Sequence, residues 1–409
     1  TSRHSTGWRA AAVALVTFVL VVSGCSTSKS HDASGGGGAT GNGSGSGSAG
    51  AQTTTTLPPV DMAVSPVDKA TGVALDSPVT VKATGGALSA VYVVAHGAPK
   101  GALPMAGTLS ADKASWTSAG TFAPATTYDV MATSTGQAKA PTTSRWTFTT
   151  LTPTSELHTR INVFEGHTYG VGMPLIVQLT HPIPQALHAA VTKRLTVTTA
   201  PAIQGGWRWF SDSEVHWRPA AYWPAHTQAH LKVDFAGLNA GDGVWGVDGR
   251  TIDFNIGDSH ISTVDAVSHQ MTVAVNGAVV KTIAVSTGRD KYPTHSGIHA
   301  VNDKEAIKTM DSATVGIPRD SPDGYFETVK WDVRISNSGE FVHAAPWSTG
   351  DQGNTNVSHG CVNVSDADGE WFYNFSQLGD IVQVLNTPLQ LDPDNGYGDW
   401  QIPWASWVN

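Results

Sequence analysis

Cysteine is nearly absent from this sequence, which has only Cys25 and Cys361 among its 409 residues. Charged side chains make up 14% of the chain, and the formal net charge is −9. No basic patch is visible, so neither nucleic acid nor an anionic lipid surface is an expected partner, because both bind clusters of Lys and Arg. The apolar run at residues 10–22 is too short for an ordinary membrane-spanning helix. The hydrophobic content of 40% is nevertheless ample for buried cores, and the length predicts about two to four domains.

The first part of the chain resembles a bacterial lipoprotein signal. Two arginines precede the apolar run, and the motif "VSGC" that ends at Cys25 resembles the lipobox, in which the thiol is alkylated by a diacylglycerol. We therefore expect residues 1–24 to be a signal peptide and lipidated Cys25 to hold the protein on the outer face of the cell membrane, since two acyl chains anchor stably. The alternative is a plain signal peptide with an incidental cysteine. If Cys25 carries lipid it cannot bridge Cys361, whose thiol is then free outside the cytoplasm.

Three β-rich units are expected after this segment. Residues 25–56 are rich in Gly, Ser and Thr and cannot bury enough apolar surface to fold, so they are interpreted as a flexible linker. Residues 57–150 and 151–257 consist of short Val- and Thr-rich runs separated by Gly, Pro and Asp, which predicts strands joined by turns. We interpret them as two tandem immunoglobulin-like β-sandwiches, with one longer β-domain as the alternative. Neither contains the cysteines of the antibody disulfide, and both are expected to serve as spacers.

Residues 258–389 are expected to form a mixed, mostly β domain. Asn276-Gly277 separates two alternating runs and is a strong hairpin signal. The run "DADGEWFYNFSQLG" has helical spacing, with Trp371 and Phe375 on one face. Residues 390–409 form a Trp-rich tail, which we expect to pack on the 151–257 unit.

Cys361 lies in the run "VSHGCVNV", where the residue types suit a nucleophile. A thiol with an ordinary pKa of about 8.5 is only a few per cent ionised near neutral pH, so a catalytic cysteine requires a nearby imidazole. His359 and His343 are both candidates, and spacing alone does not choose between them. His343 lies in a strand-like run, which would hold a base more rigidly than a loop. The step from Gly360 to Cys361 allows a tight turn and offers adjacent N–H groups to an oxyanion.

The pattern of His343, fourteen intervening residues and then Ser358-His-Gly-Cys-Val-Asn363 resembles the signature of the L,D-transpeptidases, which cross-link bacterial peptidoglycan. The resemblance covers roughly residues 258–386, and the wider architecture is similar to lipoprotein members with two immunoglobulin-like domains before the catalytic one. It implies Cys361 as nucleophile, His343 as general base and the main-chain carbonyl of Ala344 as the group that orients the imidazole. It also implies oxyanion donors at the N–H groups of Gly360 and Cys361, with His359 shaping their loop.

The same resemblance implies a peptide-binding site and a reaction. The positions matched to the peptide site are Met310, Tyr325, Ser338, Gly339, Trp347, Ser358 and Asn363. Residues 307–330 would form a flap over the pocket, in which Val315 replaces a tyrosine of some relatives. Cys361 would attack the carbonyl of the third residue of one stem peptide, release D-alanine, and pass the acyl group to the amine of another stem as a 3→3 cross-link. Carbapenems are expected to acylate the same thiol, and no cofactor is implied.

Other interpretations of these residues lead to different functions. Water as acceptor would make the protein an L,D-carboxypeptidase, and a catalytically dead third domain would leave a wall-binding lipoprotein. The pairs His226/His230 and His295/His299 have i,i+4 spacing but lack the glutamate of a zinc protease, so we expect no metal site. Asp242 lies in a loop that could offer oxygen ligands to calcium, although a plain turn is the stronger interpretation.

Overall fold

The computed structural model describes residues 60–136 and 141–408, which belong to one compact unit. The expected signal peptide, the expected lipidation site Cys25 and the whole of the expected linker, residues 25–56, lie outside the described residues. No helix in the described part of the chain is both long and apolar enough to cross a membrane.

The first part of the fold is a pair of β-sheets that enclose one apolar core. Its sheets have the strand orders β1-β3-β6-β5 and β2-β8-β7-β4. Val81 and Trp116 from the first sheet share a buried cluster with Val130 and Phe148 from the second. The alternation of buried and partly exposed residues along β7 is the pattern expected of a sheet with one face on a core. The strands are β1 (Asp61–Ser65), β2 (Ala70–Val73), β3 (Thr80–Thr84), β4 (Gly86–Ala95), β5 (Gly107–Leu109), β6 (Ser115–Ser118), β7 (Thr127–Gly136) and β8 (Thr142–Thr150).

The second part repeats this two-sheet arrangement between Ser155 and Ile256. Its four-stranded sheets have the orders β10-β12-β15-β14 and β11-β19-β16-β13, and a third sheet has the order β17-β18-β9. Short helices precede β13, a 3-10 helix at Gln185–Leu187 and α1 at His188–Thr192. The strands are β9 (Ser155–Leu157), β10 (Thr159–Ile161), β11 (Thr168–Tyr169), β12 (Leu175–Leu179), β13 (Leu195–Ala200), β14 (Gly205–Ser211), β15 (Glu214–Pro219), β16 (Gln228–Asp234), β17 (Asn239–Gly241), β18 (Val244–Gly246) and β19 (Gly249–Ile256).

The third part contains a six-stranded sheet, β22-β21-β20-β28-β23-β29, and a four-stranded sheet, β24-β25-β26-β27. The hairpin at Asn276-Gly277 is confirmed, because it joins β21 to β22 and both residues have positive φ values of 49° and 84°. The strands are β20 (His260–Asp265), β21 (Gln270–Val275), β22 (Ala278–Ala284), β23 (His295–Ala300), β24 (Asp303–Asp311), β25 (Phe326–Arg334), β26 (Phe341–Ala344), β27 (Val362–Val364), β28 (Ile381–Leu385) and β29 (Leu389–Gln390). The helices of this part and of the tail are 3-10 helices at Ser312–Val315, Pro346–Ser348 and Gly398–Gln401, α2 at Asp366–Phe375 and α3 at Trp404–Trp407.

Helix α2 supports the strand that carries His343. Ser365 caps the helix by accepting a hydrogen bond from the N–H of Asp368 at 3.1 Å. The helix packs against β25 and β26, and at Gly369 the two backbones approach so closely that an added Cβ would lie 2.9 Å from the N of Ala344. A larger side chain at Gly369 would therefore push directly on strand β26.

The second and third parts share a closely packed interface. The N–H groups of Gly170 and Gly172 donate to the carbonyl oxygens of Leu378 and Gly379, both at 2.8 Å. An added Cβ at Gly170 would lie 2.3 Å from the N of Asp380, so only glycine fits there. These hydrogen bonds fix the catalytic part of the chain against the sheets that precede it.

The tail contacts the second part through its tryptophans. The indole N–H of Trp400 donates to Gly172 O at 2.8 Å, and that of Trp407 donates to Gly206 O at 2.9 Å. Arg218 lies between these two rings, with its guanidinium carbon 4.7 Å and 4.5 Å from their centroids. Beside it, buried His216 bonds Asp399 of the tail at 2.7 Å. The tail is thus held by cation–π contacts, hydrogen bonds and an ion pair.

Candidate active site

Parallel pairing of β26 with β27 brings His343 and Cys361 to the same face of a sheet. The register pairs Val342 with Val362 and His343 with Asn363. Because side chains alternate along a strand, Cys361, which immediately precedes β27, projects on the same side as Asn363. His343 and Cys361 therefore lie on neighbouring backbone segments of the same sheet. Cys361 is two residues before Asn363, the residue that pairs with His343.

Both residues line one cavity of about 210 Å³. Its wall combines apolar and polar side chains from the β24–β25 hairpin, from the connection between β26 and β27, and from the cysteine loop. The lining residues are Met310, Tyr325, Glu327, His343, Trp347, Ser348, Asp351, Val357, Ser358, His359, Cys361 and Asn363.

His343 is held as a neutral imidazole with one nitrogen available. Its Nδ1 lies 3.0 Å from the main-chain oxygen of Ala344, and a carbonyl oxygen only accepts, so Nδ1 carries the hydrogen. Nε2 is then the acceptor of the ring. The side chain is buried, and this burial lowers the pKa of His343 to about 4 against the smaller opposing effects of Ala344 and Asn363. His343 is thus a base that stays unprotonated throughout the neutral range.

The thiol of Cys361 is also neutral in this structure. The residue is partly exposed, and among the described residues it is the free cysteine. Burial of the sulfur raises the pKa of Cys361 to about 12, which the N–H of Phe341 opposes only in part. Its S–H donates a hydrogen bond to Gly339 O at 3.6 Å. The pair therefore rests as thiol and imidazole, so that attack on a substrate must be accompanied by proton transfer.

Ser358 organises the loop that ends at Cys361. Its Oγ–H donates to Cys361 O at 2.6 Å, and the same oxygen accepts the N–H of Gly360 at 3.1 Å. Gly360 has φ +124°, a conformation that a side chain would strain, and its carbonyl accepts a bond from Thr294 Oγ1 at 2.8 Å. Since the N–H of Gly360 already has a partner here, an oxyanion role for it requires this bond to be shared.

The Nε2 atom of His359 is already hydrogen-bonded in this structure and is not free to act as a base. Its Nε2 accepts a hydrogen bond from Arg289 Nη2 at 2.8 Å, because a guanidinium only donates. Its ring lies between those of Tyr292 and Tyr325, with centroids 5.2 Å and 5.1 Å away. Burial and the charge of Arg289 lower the pKa of His359. These contacts support the expected role of shaping the loop.

The structure gathers most of the other predicted site residues around the cavity. Met310, Tyr325, Trp347, Ser358 and Asn363 all line it. Burial raises the pKa of Tyr325 to about 12, so its hydroxyl remains a donor.

Two of the predicted peptide-site residues lie outside this cavity. Gly339 lines an adjoining cavity of about 170 Å³, together with Val315 of the expected flap. Ser338 is exposed and lines neither cavity; its Oγ accepts from Asn395 Nδ2 at 2.8 Å. The expected place of Ser338 in the peptide site is thus not visible in the cavity around Cys361.

Several neighbours of the site were not predicted from the sequence. Ser348 accepts a hydrogen bond from Asn363 Nδ2 at 3.1 Å and so fixes the residue beside His343. Arg289 contacts His359, and Asp323 contacts Arg289 at 2.5 Å. Arg289 and Asp323 lie far from Cys361 along the chain, so nothing in the sequence indicates that they are close to the cysteine loop in the structure.

The described residues contain no group of three or more His, Cys, Asp or Glu side chains that could hold a metal ion. Asp242 lies at the turn between β17 and β18 with φ 51°, where the N–H of Gly241 donates to Asn239 Oδ1 at 3.0 Å. Asn239 Oδ1 thus already accepts a turn hydrogen bond, which is typical of an ordinary tight turn.

Comparison with known proteins agrees with this site. A bacterial Ig domain family matches residues 70–239, and the L,D-transpeptidase catalytic domain family matches residues 259–384. The chain is 39% identical over 347 residues to L,D-transpeptidase 2 of Mycobacterium tuberculosis (strain CDC 1551 / Oshkosh), which covers 85% of this chain and 83% of the relative. The chain belongs to the L,D-transpeptidase family. This L,D-transpeptidase is also 32% identical over 352 residues to L,D-transpeptidase 5 of M. tuberculosis (strain ATCC 25618 / H37Rv), across 84% of its own length and 75% of the relative.

A solved L,D-transpeptidase in complex with imipenem is similar in structure. The TM-score is 0.50 at 33% identity, and the match covers 57% of this chain and all of the other. The predicted family and the mainly β, immunoglobulin-like architecture before the catalytic domain are confirmed. The single Ig match crosses the boundary between the first two parts of the fold, so the number of two immunoglobulin-like domains stays a prediction.

Proposed function

We propose that this L,D-transpeptidase forms 3→3 cross-links between peptidoglycan stem peptides through a thioester on Cys361. The observation that carries the proposal is the bond from His343 Nδ1 to Ala344 O, which leaves Nε2 as the acceptor in a ring that shares a cavity with Cys361. Family membership supports the acyl-transfer class. The sequence motif supports the assignment of Cys361 as the nucleophile.

In the first step, Cys361 Sγ attacks the carbonyl carbon of the third stem residue while its proton passes to His343 Nε2. The tetrahedral intermediate collapses, the C–N bond to the terminal D-alanine breaks, and His343 returns the proton to the leaving amine. In the second step, the side-chain amine of another stem attacks the thioester, the C–S bond breaks and the sulfur regains a proton. Water in place of the amine would give hydrolysis by the same residues.

The resting pair is neutral before substrate binds. Burial raises the pKa of Cys361 to about 12 and lowers that of His343 to about 4, so the thiol gives up its proton to the imidazole only as the new C–S bond forms. The carbonyl of Ala344 stabilises the imidazolium that forms transiently, because Nδ1 already donates to it.

The proposal also places the protein at the cell wall. Lipidation of Cys25 would retain it on the outer face of the membrane, and the following linker and β-sheets would extend the catalytic part towards peptidoglycan. Cys361 would then act in an extracytoplasmic compartment and would be open to carbapenems, in line with the imipenem complex of the similar structure.

Intact-mass measurement after incubation with imipenem tests the nucleophile. One covalent adduct is expected on the wild-type protein and none on Cys361→Ala, whereas a wild-type protein without an adduct would favour a non-catalytic wall-binding role. A disaccharide-tetrapeptide then separates the reactions. A cross-linked dimer indicates the transpeptidase, and tripeptide without dimer indicates the L,D-carboxypeptidase.

A further inference from the structure

Three donors from one loop converge on the carboxylate of Asp323. Arg289 Nη2 donates to Oδ1 at 2.5 Å, while Lys291 Nζ and the hydroxyl of Tyr292 donate to Oδ2 at 2.5 Å and 3.0 Å. We call these three donors the Arg289 cluster. Arg289 and Lys291 bring two positive charges to a single carboxylate, and charge-assisted hydrogen bonds of this kind are the strong contacts by which proteins bind carboxylates.

The loop that carries the Arg289 cluster is fastened to the cysteine loop. The N–H of Arg289 donates to Ser358 O, and the N–H of Ser358 donates to Thr287 O, both at 3.1 Å. Gly288 is packed so tightly that an added Cβ would lie 2.2 Å from Tyr292 O. Because these contacts are independent of Asp323, they hold the backbone that carries the cluster in place without it.

The segment that carries Asp323, residues 311–325, has fewer such attachments. It follows β24, and the turns within it are closed by local bonds such as Ile317 N–H to Ser312 O at 2.9 Å. Its other ion pair, Arg319 with Asp311, is internal. Apart from the ladder between β24 and β25, the hydrogen bonds that leave this segment in the described part of the chain are those of Asp323. Asp323 can therefore be exchanged for another carboxylate by movement of this segment alone.

The Arg289 cluster adjoins the cavity that contains Cys361 through one of its lining residues, His359. Arg289 Nη2 is 2.8 Å from Nε2 of His359, and His359 lines the cavity with Cys361. The donor stem ends in a free carboxylate one residue beyond the bond that Cys361 would cleave, and one residue spans about 3.5 Å of extended chain. We infer that the Arg289 cluster is the subsite for this terminal carboxylate, and that Asp323 is a tethered occupant which the substrate displaces.

This inference rests on the proposed function, so its test uses binding rather than turnover. The ligands are a stem tetrapeptide with a free terminal carboxylate and its C-terminal amide, each titrated by calorimetry against the full chain carrying Cys361→Ala. The amide retains every other group, so the ratio of the two dissociation constants isolates the carboxylate. Acylation of the unmutated chain by imipenem, measured in parallel, reports on the proposed chemistry independently.

Opposite effects are expected from the two sides of the contact. Asp323→Asn should lower the dissociation constant of the tetrapeptide about two- to fivefold, because an exposed competing ion pair is lost. Lys291→Gln and Arg289→Gln should weaken it, with about tenfold expected for Arg289, since charged hydrogen bonds are the stronger ones. The amide should change less than about twofold in every variant. Lys291→Gln leaves the contact between Arg289 and His359 in place, so its effect cannot arise from a disturbed cysteine loop.

Arg319→Gln is the matched control, because it breaks an ion pair of the same segment that does not touch the Arg289 cluster. It should leave the ratio of the two dissociation constants unchanged. If Asp323→Asn changed the binding of the free tetrapeptide and of its amide equally, the inference would be wrong. The contact between Asp323 and the Arg289 cluster would then have only a structural role. The inference would also be wrong if the free tetrapeptide and its amide bound the Cys361→Ala protein equally well and no further variant changed the ratio of their dissociation constants.

Discussion

His343 Nδ1 donates a hydrogen bond to the main-chain oxygen of its own neighbour Ala344 at 3.0 Å. The group that orients the imidazole is therefore part of strand β26 itself, and no carboxylate side chain is needed. A carbonyl cannot take the proton, so it holds one tautomer without forming an ion pair. Burial of the ring lowers the pKa of His343 to about 4, against the smaller opposing effect of this hydrogen bond.

Replacing His343 should stop acylation while replacing its neighbour should not. His343→Gln removes the proton acceptor, and we expect the imipenem acylation rate to fall about 10²- to 10⁴-fold. Ala344→Ser is the matched control, because the carbonyl is retained, and its rate should stay within about twofold of wild type. Stopped-flow measurement of β-lactam absorbance gives both rates. A large loss in Ala344→Ser would show that keeping the main-chain carbonyl is not sufficient to orient the imidazole.

Acylation should depend little on pH across the neutral range. The pKa of His343 is lowered to about 4, so the base is lost only as pH falls through that value. The pKa of Cys361 is raised to about 12, so the thiol keeps its proton up to that value. We expect a flat acylation rate from about pH 5.5 to 9. A sigmoidal rise with a midpoint between these limits would contradict the neutral pair.

Gly369→Ala should damage both stability and catalysis. The new methyl group would lie 2.9 Å from the N of Ala344, so helix α2 and strand β26 must separate. Overpacking of this kind costs about 1–3 kcal/mol in the free energy of unfolding, measured by urea denaturation. Glu370→Ala changes an exposed residue of the same helix and should stay within about 0.5 kcal/mol. Equal stability of the two variants would show that the helix can shift without cost.

The attachment of the tail should weaken at alkaline pH. Burial opposes the charged form of His216, but Asp399 and then Glu214 raise its pKa to about 9. A pKa raised on folding stabilises the protein below the unfolded value of about 6.5, and this contribution disappears as pH rises towards 9. We expect the free energy of unfolding to fall by about 3 kcal/mol over this interval. Urea denaturation at several pH values measures it, and His216→Gln should remove most of the slope.

Local patterns in the sequence predicted local structure well. Asn276-Gly277 identified a hairpin because both residues tolerate positive φ, and the helical spacing of Trp371 and Phe375 identified α2. The motif around Cys361 identified the family. Each of these signals lies within a short stretch, where residue type and spacing determine the backbone directly.

Contacts between distant segments could not be predicted in this way. Nothing in the sequence shows that β26 and β27 pair in parallel, since register depends on how the whole sheet assembles. The contacts of Arg289 with His359 and Asp323 join segments far apart in the chain. Ser338 lies exposed beside Asn395 and lines neither cavity, so its expected place in the peptide site stays a prediction.

The pairing of β26 with β27 and the lining of the cavity depend on different stretches of the chain. Main-chain pairing sets the reach from imidazole to sulfur, whereas the connection from residue 345 to 360 contributes Trp347, Ser348 and Asp351 to the cavity wall. Substitutions at Trp347 and Asp351 can therefore reshape the cavity wall without touching the strand pairing that relates His343 to Cys361. The shape of the cavity is free to vary while the ladder behind it stays fixed.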